Sequence, residues 1–325
     1  RRTVLLEAPG RDGGDPGGGS PTCAVLLSTT GLVAATSDDQ PPVTLTGRQR
    51  DDVVTAAVTA DRHGEVGLLT SRGRLVRLPV LTLPVLPPTA GTPSLTGGVP
   101  VGALVELAVG ERVIALTTPG GHLALGTRRG TVKRVSTDPP SGRDSWEVIT
   151  LPDGDEVVGA GTVPEEGPAE LVFVTSDARL LRVRADSVRE QGPRAAGVAG
   201  IRCAPDAHVV FFGVCPAPGG LPASREPVVV TIAGRSDALA GVDPGTAKVT
   251  PLAAFPVKGR GTAGVRAHRF LAGQDTLLAA WAGAGPARAA DPDGGPAPLP
   301  EPDPRRDGSG VRLTTPVAGL GRPAQ

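Results

Sequence analysis

The side chains in this sequence that invite a chemical reading are its cations, because they recur in a pattern. Arg72, Arg74 and Arg77 surround Gly73; Arg128, Arg129, Lys133 and Arg134 surround Gly130; Arg179, Arg182 and Arg184 follow Ala178. Arg194, Lys258, Arg260 and Arg266 lie in or beside the Gly-rich segments 192–200 and 259–264. Cations repeated at fixed distances from a turn lay charge along a track, which suits a phosphate backbone. An ordinary solvated strand face would use the same residues. Net charge is zero, with 33 Lys plus Arg against 33 Asp plus Glu, so bulk basicity does not decide between the two.

Other chemistry finds less support. Gly259-Arg-Gly-Thr-Ala-Gly264 has dinucleotide spacing, but Pro256 precedes it and Val265 to Phe270 alternates like a strand, so the strand–turn–helix context is missing. No Gly-x-x-x-x-Gly-Lys-[Ser/Thr] loop occurs. His63, His122, His208 and His268 have no paired spacing and read as surface or loop residues, not metal ligands. The acidic pairs Asp38-Asp39, Asp51-Asp52 and Glu165-Glu166 read as solubilising loop charges rather than a general acid/base pair. Cys23, Cys203 and Cys215 are odd in number and form no Cys-x-x-Cys, so neither a disulfide framework nor a zinc site is expected, and a reducing compartment is. Phe173, Phe211 and Phe212 sit in apolar runs and read as core. Aromatics make up only 2% of residues, so base stacking on single strands has little to work with and duplex backbone contact is the expected mode.

The elements that must position these cations are hairpins. Leu171 to Val174 is an apolar run, Ser176-Asp177-Ala178 a tight turn, and Leu180, Leu181 and Val183 are interleaved with Arg179, Arg182 and Arg184 on the way out. The pattern recurs at 23–35, 66–78 and 123–135, more weakly at 228–238, and in degenerate form at 277–288. With Gly31, Gly73, Gly130, Ala178, Gly234 and Gly283 as turn positions, the spacings run from 42 to 57 residues, the period of a four-stranded blade. Val53 to Val58, Arg112 to Thr117, Glu156 to Val163 and Ala207 to Val214 supply further strands. With Gly 46 and Pro 35 and no sustained 3.6-residue periodicity, the expectation is all-β, with six blades arranged radially. Residues 1–22 read as a lead-in strand and flexible Gly/Pro linker, 23–325 as the bladed domain, and 291–305 as a loop in or beyond the last blade. No apolar run approaches the ~18 residues of a membrane span, and a start without Met reads as a fragment of a longer protein.

Gly126-Thr-Arg-Arg-Gly-Thr-Val-Lys-Arg-Val135, Leu180-Leu-Arg-Val183 with Val188-Arg-Glu-Gln-Gly-Pro-Arg-Ala-Ala-Gly-Val-Ala-Gly-Ile201, and Phe255-Pro-Val-Lys-Gly-Arg-Gly-Thr-Ala-Gly-Val-Arg266 resemble the C-terminal β-pinwheel domain of bacterial type IIA topoisomerase A subunits, those of DNA gyrase and topoisomerase IV. Arg1-Arg-Thr3 is similar to the exit from that subunit's coiled-coil region. The resemblance spans essentially the whole chain and implies a six-bladed β-pinwheel that binds and bends duplex DNA around its rim. The fourteen cations named above are then the candidate DNA contacts. The implied partners are double-stranded DNA, the B subunit, and the catalytic core to which such a domain is joined, with no membrane; the implied location is cytoplasmic and nucleoid-associated. No cofactor is expected in this chain, since ATP and Mg2+ belong with the partner subunit. The family's cleavage nucleophile is a tyrosine outside this domain, and the chain contains none. Gyrase subunits carry a Gln-Arg-Arg-Gly-Gly-x-Gly box, whereas the matching region here is Gly47-Arg-Gln-Arg-Asp-Asp52. That departure points to a topoisomerase IV-like subunit rather than a strongly wrapping gyrase. The alternatives are a gyrase wrapping domain, or a propeller-like protein-interaction scaffold without DNA, which an uncharged rim would favour.

Overall fold

The computed structural model describes residues 21–37, 47–87, 94–238 and 244–324. The lead-in and linker expected over 1–20 and the acidic pair Asp38-Asp39 lie outside these. Among the described residues all regular structure is strand, apart from six three-residue 3-10 turns.

The fourth hairpin shows how sequence becomes structure. Ala169–Thr175 and Arg179–Arg184 pair with Leu171 opposite Val183 and Phe173 opposite Leu181. On its other side Ala169–Thr175 meets Val209–Pro216, placing Phe173 opposite Phe212. The two rings stack edge-on at 4.8 Å, and both are fully buried. A short outer strand, Val265–Arg266, closes the sheet against Arg179 and Leu180. It comes from beyond the next hairpin, so each unit borrows its outermost strand from chain that follows its neighbour.

The same four-strand order recurs throughout. The second unit runs Val113–Thr117, Glu65–Thr70, Arg74–Pro79, Ser145–Glu147. The third runs Val157–Thr162, His122–Thr127, Thr131–Ser136, Val198–Ala199, and the fifth runs Thr276–Ala284, Pro227–Gly234, Thr246–Pro251, Val311–Arg312. A seven-stranded sheet holds the first unit (Val53–Asp61, Thr22–Ser28, Leu32–Ala35, Val99–Pro100) together with the last hairpin, Arg288–Ala290 and Pro296–Ala297, and the strand Gly319–Pro323. The chain end meets its beginning here, with Arg322 opposite Val54 and Pro323 opposite Val53. All four strands expected between hairpins, near 53, 112, 156 and 207, are present and lie innermost.

Residues from these four inner strands, with Leu278–Ala284 and Ala318–Arg322, line a central channel of about 530 Å3. Glycine lets the units approach: a Cβ on Gly159 would stand 2.0 Å from the Phe212 carbonyl oxygen. Two turn expectations are corrected. Gly234 ends a strand, and the left-handed residue of that turn is Gly245 (φ +69°). Gly283 lies within the inner strand Thr276–Ala284, so 277–288 is not a hairpin. The last hairpin turns instead at Gly294 (φ +81°), inside the segment expected to be a loop. Its apolar run is short and Pro-interrupted, while the more hydrophobic inner strand imitates the pattern.

Candidate nucleic-acid interface

Each hairpin turn presents its cations in a fixed frame. Gly73 N–H donates to Thr70 O at 2.9 Å, Gly130 to Thr127 O at 3.0 Å and Ala178 to Thr175 O at 3.0 Å. All three take positive φ, and Ala178 (φ +59°) does so despite its side chain. The following strand then places cations one and four residues beyond the turn (Arg74 and Arg77, Arg179 and Arg182), or three and four beyond it (Lys133 and Arg134).

The recurrence has an internal explanation at the fourth position. Arg134 Nη1 donates to Ala185 O (3.4 Å) and Val188 O (3.2 Å), at the 3-10 turn after the next hairpin. Arg182 repeats this one unit on, donating to Leu252 O (3.3 Å) and Phe255 O (2.7 Å). It also holds Glu170 through Nη2 at 2.8 Å and through Nε, and is only 9% exposed. Arg77 binds Glu65 at 2.7 Å. Arg134 and Arg182 thus staple successive units, whereas Arg77 stays within its own hairpin.

The third position belongs to buried lysines. Lys133 is 0% exposed, and its ammonium donates to Gly192 O (2.7 Å), Pro193 O (2.9 Å) and Ala195 O (2.8 Å). Burial pushes its pKa down to about 8. Lys248, 2% exposed, does the same for Ala267 O (3.0 Å) and Arg306 O, and burial takes it to about 8 as well. Lys133 and Arg182 therefore face inward, contrary to the expectation that they contact DNA. Their regular spacing reflects inter-unit packing.

Other candidates are exposed or half-buried but engaged. Arg74 grips Glu111 with two bonds (2.8 and 3.0 Å) and Glu106 O at 2.7 Å. Burial alone would raise Glu111, but Arg74 and the Ala108 N–H hold it down to about 2. Arg72 donates to Val109 O (3.1 Å), Arg128 lies 3.7 Å from Glu156, and Arg129 donates to Asp153 O (2.7 Å). Arg184 pairs with Asp186 in the open.

Around the segment 258–266 the pattern changes. Lys258, Arg260 and Arg266 are exposed, as are Arg179 and Arg202 beside them, and among the described residues none has an ion pair. Arg260 donates to Ser187 O and Ala199 O, both at 3.1 Å, so this strip bridges the third and fourth units. Thr262 O accepts from Arg202 N–H (3.0 Å) and Leu180 pairs with Val265, which fixes the strip at both ends. Arg194, in the preceding crossing, is also exposed and without an ion pair among the described residues. Arg202 and Arg312 were missed in the sequence, although a Gly-Val-Arg tripeptide at 264–266 and again at 310–312 marks equivalent outer strands.

Two acidic expectations are overturned. Asp52 is fully buried and binds Arg48 (2.7 Å) and Arg288 (2.9 Å), while Arg48 also reaches Ala289 O (2.8 Å). Asp51 N–H donates to Gly294 O at 2.8 Å, and Thr30 Oγ1 donates to the Asp51 carboxylate at 2.8 Å. Residues 47–52 therefore clasp the first hairpin to the last instead of solubilising a loop. His268 is also not a surface residue. It is buried between Thr231 (2.9 Å) and Ser309 O (2.9 Å), and burial lowers its pKa to about 4. Glu165 and Glu166 are exposed, and the cysteines are free. The described residues contain no group of three or more metal-capable side chains and no helix long and apolar enough to cross a membrane.

Comparison with known proteins accords with this geometry. The family described as "DNA gyrase C-terminal domain, beta-propeller" matches residues 169–216 and 245–280. Topoisomerase subunit TopoM of Mycolicibacterium smegmatis is 36% identical over 134 residues, 41% of this chain and 16% of that one. The DNA gyrase A protein of Escherichia coli is 28% identical over 224 residues, 67% of this chain and 23% of that one. The chain thus spans less than a quarter of these curated relatives. In fold it is similar to a C-terminal domain of DNA topoisomerase IV (TM-score 0.65, 18% identity, 93% of each chain). It is also similar to a DNA gyrase A C-terminal domain (TM-score 0.60, 13% identity, 92% of this chain and 99% of that one).

Proposed function

We propose that this chain, similar to C-terminal domains of the gyrase A and topoisomerase IV type, is such a domain, and that it binds duplex DNA without base specificity and bends it, presenting a segment to the strand-passage core of its topoisomerase. The observation that carries this reading is the strip formed by Arg179, Arg202, Lys258, Arg260 and Arg266, cations without ion pairs among the described residues, in a chain whose net charge is zero. Arg74, Arg77, Arg128, Arg182 and Arg184 on the other hairpin strands and turns are paired with acids, and a run of neighbouring cations left without such partners suits an external polyanion. Arg194 extends the strip along the third unit, and Arg312 stands at the equivalent place in the fifth. We count six blades, taking the seven-stranded sheet as two units joined at the clasp. DNA meets an arc of this disc, and ATP and Mg2+ act with the B subunit, in the cytoplasm.

The reading is topoisomerase IV-like. Where gyrase carries its box, Arg48 here is spent on Asp52 and Ala289 O, and two aspartates replace glycines, which leaves little free charge to start a tight wrap. Titration of a ~40-bp duplex across salt tests DNA binding. Four or five neutralised phosphates give a slope of about −4 in log K against log salt, and a flat response rules the reading out. Nicked plasmid ligated while bound should show a small linking-number change; a large positive one would restore the gyrase reading.

A further inference from the structure

We infer that Arg179 and Arg266 form a clamp for a single phosphate group. When that group is a backbone phosphodiester, the inference rests on the duplex binding proposed above.

The register puts the two residues directly opposite each other at the outer edge of the fourth unit. Residues so paired stand on one face of a sheet with Cβ atoms about 5 Å apart, and like charges there are destabilising. Both side chains are exposed, and among the described residues neither has an ion pair or a side-chain hydrogen bond. The acid on this turn, Asp177, accepts from the Thr175 hydroxyl instead.

The equivalent pairs elsewhere are Leu32 with Pro100, Arg74 with Glu147, Thr131 with Ala199, and Thr246 with Arg312. Of these five units only the fourth sets cation against cation. The strands have little room to relieve the repulsion. A Cβ on Gly264 would lie 2.3 Å from Leu180 O, and Ala267 N–H donates to Ala178 O at 2.8 Å.

Two guanidinium forks converging from neighbouring strands match a tetrahedral anion, which offers oxygens to both. One fork already satisfies a planar carboxylate. Lys258 and Arg260, upstream on the same strip, stand ready for the adjoining phosphates of a strand.

The test is thermal unfolding of the full chain in chloride and in inorganic phosphate at matched ionic strength, together with duplex titration. Arg266→Glu recreates the arrangement of the second unit. It should raise Tm in chloride and remove the part of the phosphate-induced rise that only the wild type shows. Arg266→Gln serves if that variant does not fold, and should also lose this increment. Arg179→Gln with Arg266→Gln should reduce the duplex salt slope by about 1, the share of one phosphate. An equal phosphate response in wild type and Arg266 variants overturns the clamp, even if the duplex still binds. A phosphate response lost in the variants, with no duplex binding by the wild type, upholds the clamp for free phosphate and overturns the duplex reading.

Discussion

The second and fourth units carry arginine at the same two places after the turn, yet use it for opposite ends. In the second, Arg74 faces Glu147 and is gripped by Glu111, and Arg77 is held by Glu65, so the edge is neutral. In the fourth, Arg182 is buried on Glu170 and fastens the next unit, while Arg179 faces Arg266 and no acid among the described residues pairs with it. Spacing from a turn fixes where an arginine stands. The strand delivered from beyond the next hairpin decides whether it is neutralised, buried or offered outward.

The largest expected effect breaks the buried side of this contrast. Glu170→Gln leaves Arg182 buried without its counter-charge and should cost about 3–5 kcal/mol in denaturant unfolding, with duplex affinity of the folded protein unchanged. A loss under ~1 kcal/mol would mean that the pair does not fix Arg182.

Next is the acid limb of the second unit. Glu111 sits at about 2 when folded and near 4.5 unfolded, so it contributes on the order of 3 kcal/mol above pH 4.5 that is lost as pH falls toward 2. Glu111→Gln should flatten stability over that window.

Lys133 gives the same sign of pH slope at the alkaline end, but as a cost of its buried charge that deprotonation relieves. Its folded value of about 8 lies below the ordinary 10.5, so the unfolded chain binds the proton more tightly and stability rises between pH 8 and 10.5. Lys133→Met should retain only the part of this rise due to Lys248. The smallest effect falls on the exposed pair: Asp186→Asn should leave Tm unchanged within error.

Much of the fold was legible because apolar runs, Gly turns and strand spacing all report the same period. Phe173 and Phe212 read as core and are core. The last hairpin escaped because three-residue and two-residue strands carry almost no pattern, and Trp281 with its alanines on the inner strand resembled one.

Site reading was harder for a physical reason. Lys133 and Arg134 are adjacent in sequence, and each acts through carbonyls more than fifty residues away, which local spacing does not encode. Asp51-Asp52 looked like loop charge because their partners, Arg288 and Gly294, lie at the far end of the chain. Lys258, Arg260 and Arg266 were singled out in the sequence through their Gly-rich setting. Arg202 needed the structure, since its place beside Thr262 comes from strand exchange between units.

The central claim is that the basic edge of the fourth unit, and not the neutral edge of the second, meets the DNA backbone. The direct test is the salt dependence of binding to a ~40-bp duplex, measured side by side for two charge-removing double variants. Arg179→Gln with Arg266→Gln should lower the slope by about 1. Arg74→Gln with Glu111→Gln, which removes a balanced pair, should leave the slope as in the wild type. Equal reductions in both variants, or a reduction only in the second, would contradict the account.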